Sequence, residues 1–139
     1  MEKYRFFDFT SDVMFEAYGL DEKEMLQNAA EALFSVVCEI KKVRPRETVD
    51  FEVKSTDIEE LLYDWLSLLL TESEIREMFF SKFKIDQLEL EDRFYLKGKA
   101  YGEPMTPEKG DTVVKGVTYY KLKVEDKNDY IMGRVTLDI

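Results

Sequence analysis

The chain has 139 residues, with 20 Lys and Arg against 30 Asp and Glu, one cysteine and no histidine. One cysteine excludes a disulfide framework and cysteine-built zinc or iron–sulfur sites, while the missing histidine excludes a Ser-His-Asp triad, an HExxH site and an imidazole shuttle. A net charge of −10 opposes tight binding of a phosphate backbone and favours cations and basic partner surfaces.

In chain order, the aromatic-rich residues 4–7 and the run Val13-Met14-Phe15-Glu16-Ala17-Tyr18 read as strands, separated by a polar bend over residues 8–12. Asp21 and Glu24 have capping spacing, and Met25, Leu26, Ala29, Ala30, Leu33, Phe34 and Val37 recur at helical period. These predict a helix over residues 22–40, which Pro45 bars from continuing. Residues 47–53 alternate polar and apolar, as a half-buried strand does. Asp57 and Glu60 repeat the capping spacing ahead of a strongly apolar helix around Trp65, predicted to residue 71. A Glu-rich stretch follows, readable as more helix or as loop. Strands are then predicted around Phe83–Leu88, over residues 94–102, from 113 through 124 and from 131 to 137, with a loop over residues 104–110. Two helices and six or more strands predict one α+β domain spanning residues 1–139. Its architecture is a two-layer sandwich, with both helices on one face of a mostly antiparallel or mixed sheet. Cys38 and Trp65 read as core residues, the former an inert thiol.

Without histidine or a thiolate cluster, chemistry falls to carboxylates, Lys, Tyr, Ser, Thr or a hard cation. Asp8 and Asp12 flank the first bend, and four residues on a straight strand span about 13 Å, too far to share an ion. If Thr10 and Ser11 turn the chain and the last strand pairs beside it, Asp8, Asp12, Asp138 and the carboxylate of Ile139 form an all-oxygen pocket. Such a pocket suits Mg²⁺, Mn²⁺ or Ca²⁺. The plainer reading is that most acidic residues of so acidic a chain are solvated, and that Asp57 is a helix cap. Lys115 stands in a β-rich run of Val, Gly and Thr. It reads either as an edge-strand lysine facing solvent or as a cation reaching toward the carboxylates or a phosphate. The glycines are too dispersed for a nucleotide-binding loop.

Five blocks in order along the chain carry a resemblance. They are Tyr4 to Val13 followed by Ala17-Tyr18-Gly19; Asn28 to Phe34; Asp57 to Leu66; Val114-Lys115-Gly116-Val117-Thr118-Tyr119; and Leu137-Asp138-Ile139. Together they resemble the archease signature. Two histidines usual in that family are absent, one replaced by Phe9 and one missing before the Val-Lys block, where Pro104 to Gly110 stand; Gly116 replaces an alanine. The resemblance implies an accessory protein for the GTP- and Mn²⁺-dependent RNA ligase that joins cleaved tRNA exons. Its role would be to promote guanylylation of that ligase and repeated turnover, meeting RNA only through it. The family's functional residues map onto Asp12, Lys115 and Asp138, with Asp8 a looser match, and imply a divalent metal at a carboxylate tip.

Two other classes compete with this activator reading. One is a metal-dependent enzyme using the same carboxylates, and the other is a chaperone-like interaction module. No apolar run is long enough to span a bilayer and the acidic start is unlike a signal peptide, so a soluble cytoplasmic protein without membrane contact is expected.

Overall fold

Two aspartates start the two helices. Asp21 caps α1 (Glu22–Val37), its carboxylate accepting the Glu24 amide at 2.8 Å, and Glu24 in turn accepts the Leu20 amide at 2.9 Å. Asp57 caps α2 (Ile58–Arg76) in the same way, accepting the Glu60 amide at 2.8 Å. These caps are the ones the sequence spacing predicts. The computed structural model describes residues 1–8 and 11–139, and the side chain of Asp8 also lies outside what is described.

Both helix ends differ from the predicted ones. The first helix stops at Val37 rather than residue 40, because Cys38 turns to extended backbone (φ −148°) and bridges to Gly110. The amides of Asp111 and Thr112 take the Val37 and Val36 carbonyls at 3.0 Å each, satisfying acceptors that a helix end leaves free. The second helix runs five residues further than predicted, through the Glu-rich stretch. An i,i+4 ion pair of Glu72 with Arg76 (3.6 Å) supports that extra turn. It closes on Glu77 in the left-handed region (φ 52°, ψ 50°), and the buried Ser73 hydroxyl donates to the Met78 carbonyl.

The strands are β1 (Tyr4–Asp8), β2 (Asp12–Gly19), β3 (Glu47–Ser55), β4 (Met78–Leu90), β5 (Phe94–Pro104), β6 (Gly116–Asp126) and β7 (Ile131–Asp138). Strand β4 starts five residues before the predicted Phe83. Met78, Phe79 and Phe80 are all buried, and the register against β5 slips between Phe80 and Lys82 and again between Ile85 and Gln87. Those slips break the period-two alternation that marks a strand in sequence. The run from residue 113 is also shorter as a strand. Residues 111–115 are irregular, their first two amides spent on the end of α1, and pairing begins at Gly116.

All strand pairings are antiparallel, in orders β1-β2-β7-β6 and β3-β5-β4. The α+β class and the helices packed on antiparallel sheet hold, but the single sheet expected from the sequence is two. The cause lies in α2, where Leu61, Leu62, Trp65, Leu66, Leu69 and Leu70 are all buried. That stripe is wider than one sheet face covers. Trp65 meets Phe51 of β3 edge-on at 5.8 Å, while Leu62 packs toward β7. The first helix bridges likewise, with Phe34 against Phe80 and Phe83 of β4 at 5.4 and 5.5 Å and Met25 against β7. Gly133 makes the close approach possible, since a Cβ there would lie 2.5 Å from Met25 Sδ and 3.2 Å from Leu62 Cδ2. Trp65 is core as expected, its indole N–H donating to the Leu26 carbonyl at 3.0 Å. Cys38 is fully buried, and burial pushes its thiol up to about 12, with Asp111 adding to the shift. Among the described residues no helix is long and apolar enough to cross a membrane.

Candidate functional site

Strand register brings distant residues together at one end of the four-stranded sheet. Asp12 of β2 stands directly opposite Asp138 of β7, and Asp138 stands opposite Gly116 of β6. Lys115 joins the row through its backbone, its amide donating to the Asp138 carbonyl at 2.7 Å. The next row inward, Val13–Leu137–Val117, contains the buried Leu137 and Val117. Their burial fixes the register, because a slip of one residue would carry them to the other face. Asp12 and Asp138 therefore share the opposite face. Residues facing each other across an antiparallel pair hold their Cβ atoms about 4.5–5.5 Å apart. Two carboxylates so placed can reach one cation, whose oxygen ligands sit about 2.0–2.6 Å away.

Of the other predicted residues, Asp8 ends β1 with its backbone opposite Val13, one row out of step with Asp12. Its side chain, and the predicted turn at Phe9 and Thr10, lie outside the described residues. Ile139 follows Asp138 directly and is exposed. Lys115 is exposed and precedes the strand rather than lying within it. Among the described residues, no group of three or more acidic or cysteine side chains is arranged to hold an ion. A pair of carboxylates suits a hydrated Mg²⁺ or Mn²⁺, which keeps several waters and shares ligands with phosphates, better than Ca²⁺, which takes six to eight oxygens. Beside Lys115 opens an apolar cleft of about 550 Å³, walled by Val37, Leu70, Phe79, Met105 and Val114.

A second feature of β6 escaped the sequence reading. Thr118 pairs with Thr136 and Lys123 with Arg134, so Tyr119, Tyr120, Lys121 and Leu122 bulge against Val135 alone. Two threonines hold the bulge: Thr136 Oγ1 donates to the Tyr120 carbonyl at 2.9 Å, and Thr118 Oγ1 donates to the Thr136 carbonyl at 3.0 Å. Lys121 takes a positive φ of 54°. The Tyr119 ring stacks on Tyr63 of α2 (4.0 Å, 11°), and its hydroxyl donates to Glu60 at 3.0 Å. Desolvation against these neighbours, then the Glu60 carboxylate, hold that phenol protonated, up to about 12. Adjacent strand residues face opposite ways, so the Tyr119-Tyr120 pair already signals that one tyrosine lies outside the core.

The model of the Archease protein family matches residues 4–139. The chain is 39% identical over 143 residues to "Protein archease" of Sulfurisphaera tokodaii, covering all of both chains. It is likewise 39% identical over 141 residues, with both chains fully covered, to the protein of that name in Methanothermobacter thermautotrophicus. Among solved structures, it resembles the solution structure of Methanobacterium thermoautotrophicum protein 1598, with a TM-score of 0.87, 37% identity and full coverage of both chains. It also shares the fold of a crystal structure described as an archease, possible chaperone, from Thermotoga maritima. There the TM-score is 0.69 at 19% identity, covering 96% of this chain and 94% of the other.

Proposed function

This chain belongs to the archease family, and from that premise we propose that it is an accessory activator of the GTP- and Mn²⁺-dependent RNA ligase that joins tRNA exons. It promotes guanylylation of that ligase and repeated turnover, and carries out no reaction of its own. The observation that carries this reading is the facing of Asp12 and Asp138 across β2 and β7, with the Lys115 amide bonded to the same Asp138.

Asp12 and Asp138 would hold a divalent ion, with the main chain at Ile139 as a further oxygen donor. When bound, that ion supplies positive charge to offset phosphate oxygens in a nucleotide-loaded ligase site. The two carboxylates stand on the last paired row of their strands, so they can enter a partner's cleft without unfolding anything. The Lys115 backbone fixes β6 against Asp138 and leaves its ammonium free to meet a phosphate or to orient a carboxylate. The acidic surface keeps RNA off the protein itself, so RNA is met only through the ligase.

The test is reconstitution of the ligase with GTP, Mn²⁺ and a cleaved RNA substrate, with and without this protein. The expected result is several turnovers per ligase with the wild-type chain, and loss of that stimulation with Asp12→Ala or Asp138→Ala while the melting temperature holds. Lys115→Met is expected to reduce it. Equal stimulation by the aspartate variants would overturn the reading. Substrate conversion by this protein alone would favour an enzyme of its own.

A further inference from the structure

We infer that the β6 bulge is a docking surface for an arginine or lysine presented by a protein partner, with the rings of Tyr119 and Tyr120 as its floor and the carboxylates of α2 as its wall. Tyr119 and Tyr120 are 58% and 57% exposed, unusual for two consecutive aromatic side chains on a strand. Exposed, well-anchored tyrosines are the residue type that dominates binding energy at protein interfaces. The anchoring is extensive. The Tyr63 stack, the Glu60 hydrogen bond and the two threonine bonds fix the bulge before any partner arrives, lowering the entropy lost on binding. Thr136 is itself only 2% exposed, so a buried hydroxyl serves to hold an exposed loop in shape.

Charge complementarity names the occupant. Glu60 and Asp64 of α2 lie close enough to Tyr119 to act on its phenol, Glu59 stands next to Glu60 in the first turn of the same helix, and among the described residues none of the three has a Lys or Arg within ion-pair distance. Glu59 accepts the Val124 amide at 3.0 Å, Glu60 the Tyr119 hydroxyl, and Asp64 the Ser55 hydroxyl at 2.6 Å. Each is therefore held in place with no side-chain cation beside it, Glu59 and Glu60 being offset only by the N-terminal end of the α2 dipole. An aromatic face beside fixed carboxylates matches a guanidinium, which stacks on a ring while its edge pairs with an acid. A nucleobase also stacks on tyrosine, but its phosphates would meet these three carboxylates. Tyr120 already carries Lys121 over its ring at 5.5 Å, so a cation on a ring is in place within the same bulge. The bulge begins three residues beyond Gly116, so one partner can cover it together with the Asp12–Asp138 row. This inference rests on the ligase being that partner.

The test is affinity for the RNA ligase, measured by interferometry for wild type, Tyr119→Ala, Tyr120→Ala, Glu60→Gln and Asp12→Ala, with circular dichroism melts of each. The expected result is binding weakened at least about tenfold by either tyrosine change, and a shallower salt dependence with Glu60→Gln. Asp12→Ala is expected to fail to stimulate even at concentrations that saturate its binding to the ligase. Wild-type binding with the tyrosine variants equally tight and folded overturns the patch and leaves the activator reading intact. No wild-type binding overturns both. Self-association of the wild type lost in Tyr120→Ala, or loss of binding to a single-stranded RNA without protein, would replace the inferred occupant by a second copy or a nucleobase.

Discussion

Replacing Asp12 by Asn tests the carboxylate pair without any partner. Asp12 and Asp138 face each other across β2 and β7, and like charges directly opposite on a sheet destabilise it, by about 0.5 kcal/mol. In chelator, Asp12→Asn is therefore expected to melt at or slightly above the wild-type temperature. A divalent cation reverses the order. A ligand bound only to the folded state stabilises it by about 2.7 kcal/mol at a hundred times its dissociation constant. With an unfolding entropy of about 0.3 kcal/mol per kelvin for a chain of this size, the wild type is expected to gain about 9 °C. Asp12→Asn, keeping one carboxylate of the pair, is expected to gain about 3 °C or less. The assay is a calorimetric melt in EDTA and in rising Mn²⁺, Mg²⁺ or Ca²⁺, with Mn²⁺ and Mg²⁺ stabilising more than Ca²⁺. Equal Mn²⁺ shifts for wild type and Asp12→Asn would refute the reasoning.

Other outcomes follow from the same structure. Asp57→Ala removes a cap from α2 and is expected to cost about 1 kcal/mol in urea denaturation while leaving ligase stimulation unchanged at a temperature where it stays folded. Cys38, buried and with its thiol pushed up to about 12, is expected to resist dithionitrobenzoate at pH 8 until denaturant opens the fold. Gly102→Ala would place a Cβ 1.8 Å from the Phe79 carbonyl oxygen and is expected to lose about 2 kcal/mol or more in the same denaturation. The Lys109 ammonium (2.7 Å) and Arg44 amide (2.8 Å) hold the Glu103 carboxyl below the usual range. Its contribution to stability is thus present above the unfolded carboxyl's pKa and lost as pH falls through the lowered one. Glu103→Gln is expected to flatten that acid-side decline in a pH series of melts.

What the sequence made legible was local. Asp21 and Asp57 read as caps and are caps, because capping needs only a side chain three residues from an amide. The stripe of α1 and the alternation of β3 likewise mark their own elements. Misreadings arose where a distant segment competes for the backbone. Residues 113–115 look like strand, but they follow directly on Asp111 and Thr112, whose amides complete the end of α1, and regular pairing begins only at Gly116. Met78 to Phe80 look like no strand because the bulges of β4 scramble its period. The division into two sheets depends on α2 being apolar over more than one face, a three-dimensional consequence of its leucines. For the site, the sequence joined Asp12 and Asp138 only on the condition that the last strand pairs beside the first bend. The resemblance pointed to the same residues, and the register of β2 with β7 places them opposite each other. The Tyr63–Tyr119 stack needed the packing of α2 against β6.

The most direct measurement of the central claim is the fraction of RNA ligase guanylylated after a fixed time with GTP and Mn²⁺, alone, with this protein, and with Asp138→Asn. The account predicts a rise with the wild-type chain and none with the variant at matched folded concentration. An equal rise with both would contradict it.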